Sequence, residues 1–355
     1  MSVLDDPAVY QRLDPQNMRA VIRGLPRQCR DAWQEAQAFE LPTDYSDVDK
    51  VAILGMGGSA IAGDLLRALA ALESPIPIFG HRAYDPPLLV DGRTLLIASS
   101  YSGNTEETLS AFQAALGGAS KKLVITTGGQ LLATARANGI PAFVFRYEST
   151  PRAALGYSLM PLLAIAGKLG IIEDKSADVA EAIAVMEELL RRIGEDVPLV
   201  ENPTKQLATR LHGRLLVIYG AGLLTDVARR WKTGLNETSE MWAFFEELPE
   251  ANHNAIVGYG LPEAIAEAAF VVFLQAPSLH PRVLLRYEFT QQALAEAGVE
   301  SQTVEAMGRS PLAHILSTVL FGDYVGLYLA ILNEVEPAPT AVIARLKDWL
   351  AQRPA

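Results

Sequence analysis

At 355 residues the chain exceeds the usual span of one hydrophobic core, so its length predicts two domains, and half its residues are apolar, enough to fill both. Thirty Lys and Arg against 41 Asp and Glu give a net charge of −11 with no dense basic run, which argues against a nucleic-acid partner and leaves any anionic substrate to be held by local dipoles and a few chosen cations. Cys29 is the only cysteine, excluding an intrachain disulfide and thiolate-metal chemistry; no apolar leader occupies residues 1–10 and no uninterrupted apolar run reaches about 18 residues, so a cytoplasmic protein with no membrane segment is expected.

Residues 16–39 read as helical, with Met18, Val21, Ile22, Leu25, Cys29, Trp33 and Ala36 recurring every three or four positions, and Pro26 should kink or divide the run. From there to about residue 170, short β-branched runs alternate with longer amphipathic ones. The spacing predicts strands at 50–54, 76–80, 94–99, 122–126 and 142–145, separated by helices near 59–73, 104–117, 130–138 and 152–169. That βαβ series implies a parallel sheet covered on both faces.

A charged amphipathic helix over 176–193 reads as the connection between domains, with Val179, Ile183, Met186, Leu190 and Ile193 on one side. The same grammar then resumes: a strand at 214–220, a helix from Leu223, a strand at 269–274, a helix at 281–297 and a strand at 302–305. Two helices, near 311–333 and 340–351, close the chain. The expected division is 1–175, a linker at 176–200, and 201–355, with the second half a diverged copy of the first.

Two turns stand out. Gly55-Met56-Gly57-Gly58-Ser59-Ala60 follows the first strand and Ser99-Ser100-Tyr101-Ser102-Gly103-Asn104-Thr105 the third, and each precedes a helix. In a flavodoxin-like winding these turns flank the crevice where the strand order reverses. Glycines admit backbone N–H groups, hydroxyls donate, and helix N-termini add positive potential, so the pair suits a phosphate without any lysine. Gly55, Gly57 and Ala60 also fit the dinucleotide fingerprint G-x-G-x-x-A, but the second strand ends in Phe79-Gly80-His81-Arg82, without the acid that would take a ribose. A simpler alternative is that the serines and threonine only cap helices.

Gly57-Gly58-Ser59 together with Ser100-Tyr101-Ser102-Gly103-Asn104-Thr105-Glu106-Glu107-Thr108 resembles the sugar isomerase (SIS) domain, and Asn236-Glu237 with Glu250-Ala251-Asn252-His253-Asn254 narrows the resemblance to the bifunctional phosphoglucose/phosphomannose isomerases. The likeness runs from about residue 45 to the C-terminus. It implies an α/β fold of two SIS domains, each a doubly wound parallel sheet flanked by helices. It also implies a phosphorylated hexose as substrate, an aldose-ketose isomerisation through ring opening and a cis-enediol, and neither cofactor nor metal.

Such chemistry needs a base for a C–H proton, a shuttle for the ring oxygen and a cation near the developing oxyanion. The resemblance assigns the base to Glu237, and to His253 the opening of the ring from a second subunit, which makes the working unit a homodimer. Asn252 and Asn254 could fix the imidazole, whose ordinary pKa suits proton transfer near neutrality. By the same resemblance Arg152 steadies the enediolate and Lys347 assists ring opening. Thr340, two helical turns before Lys347, sits near C2 of the sugar, where strict phosphoglucose isomerases carry glutamine. Gly58, Ser59, Ser100, Ser102 and Thr105 form the substrate cradle. Family members commonly follow Asn-Glu with Asn-Ala-Lys, whereas this chain has Thr238-Ser239-Glu240, so the fine positioning of Glu237 is open. The rival readings are an isomerase of another sugar phosphate, such as an amino sugar phosphate, a non-catalytic SIS sensor of sugar phosphates, and a dehydrogenase.

Overall fold

The computed structural model describes residues 2–353. The chain begins with helices α1 (Pro7–Leu13), α2 (Met18–Arg23) and α3 (Leu25–Ala38). The periodic run over 16–39 is divided as its proline requires: α2 ends at Gly24 and Pro26 sits in the first turn of α3, where its missing N–H costs nothing.

The first sheet contains β1 (Lys50–Leu54), β2 (Ile78–His81), β3 (Thr94–Ser100), β4 (Lys121–Thr126) and β5 (Ala142–Val144), interleaved with α4 (Gly57–Ala70), α5 (Glu106–Ala114) and α6 (Gly129–Ala137). Its strands are all parallel in the order β2-β1-β3-β4-β5, the flavodoxin-like winding, so β1 and β3 are neighbours at the switch point. Helices α7 (Leu155–Lys168), α8 (Ser176–Ile193) and α9 (Pro203–Leu211) lead to the second sheet. This comprises β6 (Leu215–Ala221), β7 (Ala243–Leu248), β8 (Ala269–Gln275) and β9 (Glu300–Glu305), with α10 (Thr225–Thr238), α11 (Glu263–Ala268) and α12 (Pro281–Glu296) between them. Its parallel order β7-β6-β8-β9 repeats the winding of the first sheet without its last strand. Helices α13 (Pro311–Leu332) and α14 (Ala341–Ala351) follow.

Four of these elements, α1, α9, β7 and α11, have no counterpart in the sequence reading. Strand β7 has Glu246 and Glu247 interrupting its apolar pattern and tolerates them because it is an edge strand with one hydrogen-bonding side free. Helix α9 is announced by its cap rather than its period: the Asn202 side chain accepts from the N–H groups of Thr204 and Lys205, with Pro203 at the first helical position.

The main apolar core is continuous from α1 through one face of the first sheet to the second sheet. A smaller cluster of Ala52, Leu54, Leu96, Ala98 and Phe112, among others, fills the opposite face of the first sheet beneath α5 and α6. Helix α8, in the stretch read as a linker, is part of the main core and packs on both α3 and α13. Among the described residues α13 alone is long and apolar enough to cross a membrane; it is instead largely buried, against α8, α9 and α10. Its one residue of Asp, Glu, Lys or Arg type is Asp323.

Candidate active site

The turns after β1 and β3 meet at the carboxyl edge of the first sheet. Ser59 Oγ accepts a 3.2 Å hydrogen bond from the Tyr101 N–H, joining the two loops. Ser100 is buried, with its hydroxyl 2.9 Å from that of Thr105 and accepting from the Gly103 N–H at 3.1 Å. Gly103 is required: its φ is +66°, and a Cβ there would lie 1.9 Å from the Gly128 carbonyl oxygen. Ser102 is exposed and its hydroxyl accepts from the Asn104 N–H at 3.2 Å. Neither helix start is closed by a capping side chain, at Met56 for α4 or at Thr105 for α5. Two helix N-termini therefore present their positive ends side by side, with the hydroxyls bracing the loops that aim them.

The chain runs from β5 to a 3-10 turn, Pro151–Ala153, which places Arg152 three residues before α7 rather than in its first turn. Gly58 lets this turn come close, since a Cβ on Gly58 would lie 2.7 Å from the Pro151 carbonyl oxygen and 3.1 Å from the Arg152 Cα. Arg152 is no surface arginine: it is 6% exposed. Its Nε donates to Thr238 Oγ1 at 3.2 Å and its Nη2 to the carbonyl oxygens of Pro337 and Ala338 at 2.5 and 3.0 Å. The remaining nitrogen, Nη1, faces Glu237 Oε2 at 3.6 Å, beyond hydrogen-bonding range. Burial pushes the guanidinium pKa down, and the Glu237 carboxylate opposes that shift.

Glu237 lies in the last turn of α10, where a carboxylate is unfavourable to the helix dipole, and its side chain is 29% exposed. The neighbouring Asn236 side chain is committed to the Met241 carbonyl at 2.7 Å. Thus the loops bearing Gly58, Ser59, Ser100 and Thr105 adjoin Arg152 from the first half, which faces Glu237 from the second: a cation and a carboxylate beside two uncapped helix starts.

The model of the bacterial phospho-glucose isomerase C-terminal SIS domain matches residues 200–350. A bifunctional phosphoglucose/phosphomannose isomerase of Caldicellulosiruptor bescii is 39% identical over 93% of this chain and 98% of its own. The chain belongs to the bifunctional phosphoglucose/phosphomannose isomerase family. A second relative of that description, from Aquifex aeolicus, is 33% identical over 88% of this chain and 93% of its own. Among solved structures, a hypothetical protein from Thermus thermophilus has the same fold, with a TM-score of 0.74 at 19% identity over 98% of this chain and 94% of that one.

Three residues singled out by the family resemblance are not gathered as closely. Thr340 comes two residues after Ala338, whose carbonyl is bound by Arg152, so its backbone approaches the site; it occupies the N-cap position of α14 but makes no capping hydrogen bond. Lys347 is exposed on α14, without an ion pair among the described residues, and α14 packs closely on no other element among them. His253 is exposed in the 3-10 turn Glu250–His253 after β7. The expectation that its flanking asparagines orient it fails. The Asn252 amide donates to Thr290 Oγ1 at 2.8 Å and accepts from Arg286, whereas Asn254 donates to Glu250 Oε1 and accepts from the Ala255 N–H.

The structure adds residues to which no role had been assigned. Tyr101 donates its hydroxyl to the Tyr147 carbonyl and accepts from the Ser149 N–H at 3.0 Å, pinning the segment that delivers Arg152. Thr238, noted only as a departure from the family pattern, is the partner of Arg152 Nε. No local spacing signals either pairing, because each joins segments that only the tertiary fold brings together.

Proposed function

We propose that the protein interconverts glucose 6-phosphate and mannose 6-phosphate with fructose 6-phosphate, as its relatives' names describe for them. The observation that carries this reading is Glu237 facing Arg152 beside two uncapped helix N-termini. The phosphate would sit on those N-termini, directing the sugar toward Arg152 and Glu237. Glu237 then takes a proton from one of the carbons C1 and C2 and returns it to the other, while Arg152 Nη1 offsets the charge of the enediolate between these steps. Lys347 and His253 act on the ring oxygen, and Thr340 lies near C2.

The proposed working form is a cytoplasmic homodimer in which His253 completes the neighbouring site. The path of the chain supports the exchange. Strands β6 and β7 are parallel and joined through α10, so the last turn of α10, with Glu237, lies at the amino edge of the second sheet. Strand β7 then runs to the carboxyl edge, where His253 follows, about 17 Å away along the strand alone. Near His253 the large apolar side chains Val257, Leu261, Leu285 and Phe289 are exposed, a composition that suits a subunit contact.

The test is direct. Purified protein with fructose 6-phosphate should form both aldoses, with the same outcome in the presence of a chelator. Ligand-dependent thermal stabilisation with no aldose formed would favour the sensor reading instead.

A further inference from the structure

Arg152 shares a small cavity with a second, largely buried charge pair. Arg230 on α10 is 3% exposed, and its Nη2 donates to both carboxylate oxygens of Asp323 at 3.1 and 3.0 Å. Arg152, Arg230 and Asp323 line one small cavity with room for about one water molecule, its remaining wall formed by Met18, Ile22, Ala153, Gly234, Thr238, Gly322 and Gly326. Among the described residues no other charged side chain lines it.

This arrangement is unusual on two counts. Asp323 is the one residue of Asp, Glu, Lys or Arg type in the 22 residues of α13, a helix otherwise filled with apolar and small side chains. A buried ion pair stabilises little over an apolar pair of similar volume, so stability alone gives a weak reason to place it there. Further, two guanidiniums share the cavity. Arg230 repels Arg152, while Asp323 and Glu237 attract it.

We propose that Asp323 is a positioning residue for the isomerisation, holding Arg152 back from Glu237 so that the base stays free of a direct hydrogen bond from the guanidinium. The proposal rests on Glu237 being the base of that reaction. The 3.6 Å gap is the observation it addresses: with Nε and Nη2 bonded to Thr238 and to the Pro337 and Ala338 carbonyls, Nη1 lies close enough to Glu237 to attract it yet stops short of a hydrogen bond. Without the Asp323 charge, Arg230 would push Arg152 toward its one remaining counter-charge, Glu237. The carboxylate would then be a weaker base. Without Arg230, Asp323 would draw Arg152 away and the carboxylate would become a stronger one. The charges facing Asp323 are Arg230 from α10 and Arg152 from the turn before α7, and those facing Arg152 are Glu237 and Arg230 from α10 and Asp323 from α13; α2 contributes only apolar Met18 and Ile22 to the cavity.

The experiment compares pH profiles of kcat for the wild-type protein, Asp323→Asn and Arg230→Met, following fructose 6-phosphate conversion, with thermal denaturation measured alongside. Asp323→Asn should move the acidic limb about one unit to lower pH and reduce plateau kcat about tenfold, with KM changed less than about twofold. Arg230→Met should move the same limb to higher pH. A purely structural pair would lower the melting temperature in both variants and shift neither limb, and that result overturns the proposal. If only one variant folds, its limb alone decides by direction. An inactive wild-type protein would instead refute the isomerase reading itself, which keeps the two failures separate.

Discussion

Arg152 and Glu237 face each other across 3.6 Å, and the two come from halves of the chain 85 residues apart. Each stands where helix dipoles disfavour its charge: Arg152 just ahead of the N-terminus of α7, Glu237 in the last turn of α10. Such placement costs each residue stability, which the facing opposite charge partly offsets.

Glu237→Gln removes the proposed base while keeping size and most polar contacts. Its kcat should fall about 10²–10⁴-fold, with the ligand-dependent rise in melting temperature retained. Activity near wild type would move the base to another residue.

Arg152→Lys keeps the charge but loses the planar fork that reaches Thr238 and the carbonyls of Pro337 and Ala338 together. The expected outcome is loss of about 2 kcal/mol of stability in denaturant titration, because a buried charge loses hydrogen bonds, and at least about a hundredfold in kcat. A variant with intact kinetics would show that the guanidinium geometry is immaterial.

Gly58→Ala tests the packing that sets Arg152. The added methyl would press on Pro151, 2.7 Å away, and shift the turn carrying the arginine. Activity should drop about tenfold to a hundredfold with circular dichroism unchanged, since displacement of a catalytic group by about 1 Å costs on that order. Unaltered turnover would mean that the turn yields without consequence.

Subunit exchange can be read from two inactive variants. Glu237→Gln and His253→Asn, mixed after unfolding and refolded together, should recover about one quarter of wild-type activity, because half the dimers are mixed and each restores one of its two sites. No recovery from the mixture would place both residues in one subunit's site.

Thr340→Gln should depress mannose 6-phosphate isomerisation several-fold more than glucose 6-phosphate isomerisation, measured as the ratio of kcat/KM values; a change of about 1.4 kcal/mol in relative barrier is tenfold in that ratio. Equal losses on both sugars would remove Thr340 from the C2 position.

The sequence by itself determined the parallel βαβ organisation and the two glycine- and hydroxyl-bearing turns that meet after β1 and β3. Both depend on signals that are local in the chain: β-branched runs at strand length, amphipathic spacing, and glycines with hydroxyls where a strand turns into a helix. Strand β1 and helix α8 fall where periodicity predicts them, and Pro26 divides its run as its ring demands. Local signals failed at β7, whose edge position permits the glutamates that disguise it, and at α9, where a single asparagine cap marks a helix too short for its period to stand out. Only the tertiary structure decided that Arg152 is buried against Thr238 and Glu237, that Asn252 and Asn254 bond away from His253, and that Asp323 pairs with Arg230 at a cavity shared with Arg152. Each of these is a contact between segments distant in sequence or a choice among local partners. Electrostatic attraction and hydrogen bonding depend on distances in space, which no spacing along the chain encodes.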